Sequence, residues 1–68
     1  MPNKTTEAVY TFICVYIADH GYPPSQREIA RGCYLAPSTV FYHLNKLEVQ
    51  GRLYREPDVP RSLYRPQG

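Results

Sequence analysis

The chain has 68 residues, 43% hydrophobic and 21% charged, with a formal charge of +2, the composition of a folded domain rather than of a disordered or collagen-like chain. A chain this short buries only about 60% of its unfolded surface. That leaves one core and no room for a deep cavity of roughly 300 Å³ or more, which argues against an enzyme or a small-molecule receptor.

The first predicted element is an amphipathic helix over about 6–20. Val9, Phe12, Ile13, Tyr16 and Ile17 recur at helical spacing, Thr5 or Thr6 is available as N-cap, and Gly21 is placed to end the helix in a left-handed turn. Tyr22-Pro23-Pro24 then imposes an extended segment, because a residue before proline is pushed out of helical space. Ser25-Gln26-Arg27-Glu28 reads as a capping box that opens a short second helix, about 25–33, with Ile29 and Cys33 on its inner side. Pro37 suits the first turn of a third helix, about 37–50. There Val40, Leu44 and Leu47 form an inward stripe that stops before Gly51. Arg52 to Arg55 and Arg61 to Arg65 are predicted strands around a Pro57-Asp58-Val59-Pro60 turn, with Leu53 and Leu63 facing inward, so that the wing covers about 52–65. The expected class is α+β, mostly α: one domain of three helices with a C-terminal two-stranded hairpin, which is a winged helix-turn-helix.

The charge is distributed unevenly. Lys4, Arg27 and Arg31 balance Glu7, Asp19 and Glu28 in the first half, whereas Lys46, Arg52, Arg55, Arg61 and Arg65 outweigh Glu48, Glu56 and Asp58 in the second. Arginine predominates among the cations, and its planar fork suits phosphates and base edges, although it is also an ordinary surface residue. Cys14 and Cys33 form none of the paired spacings of a zinc site or redox dithiol, and with His20 and His43 alone as further candidates no four-ligand metal site is expected. The simplest reading is two reduced thiols filling the core of a cytoplasmic protein, with an interhelix disulfide as the alternative. The apolar run Phe12 to Ala18 is far shorter than the ~20 residues that span a bilayer. It also lacks the flanks of a signal peptide, and no membrane association is expected. No catalytic acid pair, Ser-His-Asp or Cys-His set, phosphate loop or Ser-Lys dyad is recognisable, so neither catalysis nor a cofactor is expected.

Three stretches carry a resemblance. Gly-Tyr-Pro-Pro-Ser-x-Arg-Glu-Ile at 21–29, Ala-Pro-Ser-Thr-Val-x-x-His-Leu-x-x-Leu-Glu at 36–48 and Pro-Arg-Ser-Leu at 60–63 resemble the DNA-binding domain of LexA-type repressors. The middle stretch alone is shared by many winged helices; the outer two are more specific. The resemblance implies sequence-specific binding of double-stranded DNA in transcriptional repression. A homodimer on an operator with two half-sites, or a second protein, would supply the pairing such a small reader needs. Two departures stand out. The turn into the third helix is one residue shorter than in that family, and Tyr34 occupies a position where such turns commonly hold a left-handed glycine, which is unfavourable unless the turn rearranges around Gly32. The chain also stops at Gly68, before any Ser-Lys protease domain, so self-cleavage is not carried over.

By position the resemblance assigns base-edge contacts to Ser38, Thr39, Phe41 and Tyr42, and backbone contacts to Ser25, Gln26, Arg27, Asn45, Lys46, Arg55 and Arg61. Each has a plainer alternative. Ser25 can be a cap and nothing more, Arg27 can pair with Glu28, and Arg55 and Arg61 can be solvated hairpin charges. Phe41 and Tyr42 can pack on the wing or on a partner protein, which would make the domain a winged-helix protein-interaction module. His43 matches a family histidine, and its place beside the Leu44 stripe suggests a partly buried hydrogen-bonding role. The tyrosines at 10, 16, 22, 34, 42, 54 and 64 raise base stacking as a possibility, but core and rim packing accounts for Tyr10, Tyr16 and Tyr54.

Overall fold

The computed structural model describes residues 4–55 and 64–66. Helix α1 spans Lys4–His20, α2 Gln26–Cys33 and α3 Pro37–Val49, followed by strands β1 (Leu53–Arg55) and β2 (Tyr64–Pro66). The strands pair antiparallel, with Leu53 opposite Pro66 and Arg55 opposite Tyr64. This is the winged helix-turn-helix that the sequence predicts. The expected turn at Pro57 to Pro60, together with Leu63, lies outside the described residues.

One core joins every helix to β1. Val9 and Ile13 of α1, Ile29 and Ala30 of α2, Val40, Leu44 and Leu47 of α3, and Leu53 of β1 are all buried. Helices α1 and α3 contribute stripes at the i, i+3, i+4 spacing that brings side chains to one face, and α2 the adjacent pair Ile29 and Ala30. Cys33, Phe12, Ile17 and Tyr10 pack half-buried around it, and both cysteines are free thiols.

The N-terminus of α1 differs from expectation. The helix already runs at Lys4, and Thr6 is not its cap. Thr6 is buried, and its hydroxyl lies 2.8 Å from Nδ1 of His43. A buried imidazole without a partner would lose hydration uncompensated, so the threonine is drawn inward to satisfy it. At the other end Gly21 adopts φ 81° and its amide donates to the Ile17 carbonyl at 2.8 Å, the left-handed stop expected there.

Helix α2 opens on the predicted capping box. The Glu28 amide donates to Ser25 Oγ at 3.2 Å, and the Ser25 amide donates to the Glu28 carboxylate at 2.9 Å. The turn after it corrects the reading of Gly32. Tyr34 itself takes the left-handed conformation, φ 58° and ψ 45°, while Gly32 stays helical. Gly32 has another duty: a Cβ there would collide with the Phe12 ring, so the absent side chain lets α1 and α2 approach. The left-handed tyrosine is tolerated because it lies at the helix end, where its amide donates to the Ala30 carbonyl, and because its ring needs no space inside, being 94% exposed.

Candidate nucleic-acid interface

Helix α3 begins at Pro37, with Ala36 as N-cap and no side chain bonding the first amides. Its inner face is closed: Val40, Leu44 and Leu47 have no exposed surface and His43 has 4%. The geometry of 3.6 residues per turn therefore throws Ser38, Tyr42 and Asn45 onto the opposite side, with Phe41 and Lys46 beside them. Ser38, Phe41, Tyr42 and Asn45 are exposed, and Thr39 and Lys46 are half-exposed on the flanks. Phe41 keeps 45% and Tyr42 59% of their surface in solvent, so neither ring is packed away. The Tyr42 ring meets the His43 ring edge-on, with centroids 5.2 Å apart and planes at 74°.

Two further ties aim this face. Arg52, at the start of the wing, grips Glu7 of α1 in a two-pronged salt bridge (Nη1 to Oε1 2.7 Å, Nη2 to Oε2 2.8 Å) and lies over the Tyr10 ring at 4.3 Å. The bridge holds the Glu7 carboxyl below its ordinary pKa, chiefly through the bonds that Arg52 donates. On the other side of α1 the Tyr16 hydroxyl donates to the second Glu28 oxygen, and Tyr16 stacks on His20 at 3.9 Å. That hydrogen bond, aided by burial, raises the Tyr16 pKa. Helix α2 is thus positioned by the same carboxylate that caps it. Beneath the face, burial and then Lys46 push the His43 pKa down, which favours the neutral ring that the Thr6 hydroxyl meets.

Against this geometry stand the similarities to known proteins. Residues 4–62 match the family model of the LexA DNA-binding domain. The chain belongs to that family. It is 48% identical over 56 residues to the LexA repressor of Carboxydothermus hydrogenoformans, covering 81% of this chain and 28% of that protein. It is 45% identical over 62 residues to the LexA repressor of Clostridium perfringens and 42% identical over 62 residues to that of Listeria welshimeri, each covering 90% of this chain and 30% of the relative. The chain therefore spans under a third of the length of these relatives.

Within this LexA-type domain the expected contact residues fall into three places. Ser38, Thr39, Phe41, Tyr42, Asn45 and Lys46 share the outer side of α3. Ser25, Gln26 and Arg27 sit together at the start of α2, where Arg27 is exposed while Ser25 is engaged in its capping box. Arg55 is exposed at the end of β1, and Arg61 lies outside the described residues. Tyr54 is at the rim, 40% exposed on β1, and Tyr10 and Tyr16 are half-buried. No helix among the described residues is long and apolar enough to cross a membrane, and no group of three His, Cys, Asp or Glu side chains among them could hold a metal ion.

Sequence reasoning missed Val49. It continues the Ser38, Tyr42, Asn45 row and is 88% exposed, and helical spacing alone would have placed it there. It was overlooked because a valine near the end of a helix is taken for core. The Glu7–Arg52 bridge, across 45 residues, left no local signal.

Proposed function

We propose that this chain binds double-stranded DNA sequence-specifically and serves as the reading domain of a LexA-like transcriptional repressor in the cytoplasm. The outer face of α3 carries the reading: a helix backed by the core presents hydroxyls and aromatic rings that stay exposed among the described residues. In this account α3 enters the major groove N-terminal end first. Ser38, Thr39, Phe41 and Tyr42 meet base edges, and Asn45 and Lys46 reach the phosphates at the groove wall. Ser25, Gln26 and Arg27, at the N-terminal end of α2, meet the neighbouring backbone. Arg55 and Arg61 approach it from the wing. The proposal assigns no cofactor and no catalytic role to any residue.

One domain reads one half-site, so the proposal includes pairing on an operator with half-sites about one helical turn apart, by a homodimer or through a second protein. The test is a selection from random duplexes followed by mobility shifts over a salt series. Enrichment of one sequence, with affinity falling steeply as salt rises, is the expected result. Ser38→Ala or Tyr42→Ala should flatten the sequence preference, whereas Arg61→Ala should weaken all duplexes alike. If no duplex is retained even at low salt, the proposal fails and a protein-binding role for the same face replaces it.

A further inference from the structure

The two aromatic rings on α3 restrict what the face can read. Phe41 has no polar atom, yet 45% of its surface is exposed in the second turn of the helix. Among the base-edge groups in the major groove, the thymine C5-methyl is the largest apolar partner; cytosine offers a bare C5–H there, and the remaining groups are donors or acceptors. A phenyl ring pressed against those would strip their water and return no hydrogen bond. Tyr42 presents the same apolar body with a hydroxyl at its tip. Its ring makes a T-shaped contact with the buried His43 ring, which lies within hydrogen-bond distance of Thr6 in turn.

The reading turns also lack the charged side chains that read G·C pairs most strongly. From Pro37 to Leu44, the turns that enter the groove deepest, there is no Arg, Lys, Asp or Glu. The two-pronged cation for guanine O6 and N7 is therefore missing, and so is the carboxylate that accepts from cytosine N4. The lone cation of α3, Lys46, lies in its last turn. Ser38 and Thr39 can satisfy either kind of pair.

We infer that the half-site read by α3 is centred on A·T pairs and that it is recognised through thymine methyl groups packed against Phe41 and Tyr42. This rests on the DNA-binding reading and adds the chemistry of the operator to it. The observations join an exposed ring whose best complement in the groove is a methyl group, a second ring in contact with the buried His43, and reading turns without charge.

The experiment takes the duplex enriched by the random selection and replaces each thymine in turn by deoxyuridine, which removes the methyl and leaves every hydrogen-bonding group unchanged. A buried methyl is worth about three- to five-fold in affinity. The full chain should lose about that factor at one or more thymines. Phe41→Ala or Tyr42→Ala should bind the thymine duplex more weakly and no longer distinguish it from the uracil duplex, and Phe41→Leu, which keeps an apolar tip, should retain part of the discrimination. Enrichment of G·C-centred sequences, or uracil tolerated at every position by the unaltered chain, would overturn the inference while leaving DNA binding standing. Failure to bind any duplex would remove the DNA reading itself. The uracil series on the unaltered chain does not depend on how any variant folds.

Discussion

The two sides of α3 obey opposite rules within 13 residues. On the inner side Val40, Leu44 and Leu47 have no exposed surface, and the one polar group, His43, is matched by Thr6. On the outer side Phe41, Tyr42 and Val49 stand in water at 45%, 59% and 88% exposure. Scattered surface apolar residues need no explanation. A row of them on the one helix face that a helix-turn-helix offers to DNA does need one. The inner side sets where the helix lies, and the outer side is free to be chosen for what it touches.

That contrast can be broken from either side. The largest effect on stability is expected from Leu44→Ala, which should cost about 2–5 kcal/mol by leaving a cavity in a sealed core. Urea unfolding should show much or all of the small margin of a 68-residue domain disappearing. Phe41→Ala and Tyr42→Ala should do the reverse, changing the unfolding free energy by about 0.5 kcal/mol or less while lowering duplex affinity roughly ten-fold, equivalent to about 1.4 kcal/mol. If either alanine unfolded the domain instead, the outer side would have a packing role and the contrast would collapse.

Tyr34 tests a smaller effect between the two faces. Its left-handed backbone is costly for a residue with a Cβ, and its exposed ring returns little packing. Tyr34→Gly should raise the unfolding free energy by about 0.5–1 kcal/mol. A fall in stability would mean that the ring contributes a contact larger than the strain.

The inner side also predicts a dependence on pH. The folded His43 pKa lies below its ordinary 6.5, because burial and then Lys46 oppose the charged ring. A lowered folded pKa means that the unfolded chain takes up the proton first. The contribution is complete above about pH 6.5 and is lost as pH falls through the folded value. Urea midpoints at pH 7.5, 6.5 and 5.5 should therefore decline in that order, and His43→Gln should flatten the decline. Glu7 acts in the same direction but further into acid, below its ordinary 4.5, because the Arg52 bridge is lost once the carboxyl is protonated.

Much of this molecule is legible from nearby residues. The capping box at Ser25 and Glu28, proline at the start of α3, the glycine stop at residue 21 and the Val40, Leu44, Leu47 stripe are local devices, and each occurs where the sequence places it. The outward position of Ser38, Tyr42 and Asn45 follows from that stripe by helical geometry alone. What could not be read involves partners far apart in the chain. Thr6, one of two threonines read as possible caps of α1, instead meets His43, 37 residues on. Gly32 was expected to relieve the turn and instead makes room for Phe12.

The sequence by itself therefore determined the order and kind of the elements and which side of each is apolar, because hydrophobic period and capping chemistry act within a turn or two. The tertiary structure alone decided which polar groups are paired in the interior, which residue bears the left-handed strain, and how α1 is tied to the wing through Glu7 and Arg52. Those outcomes depend on which surfaces meet once the chain has closed on a single core. The same division holds at α3: hydrophobic period selects its outward residues, and the packing of Val40, Leu44 and Leu47 beneath it holds that face out.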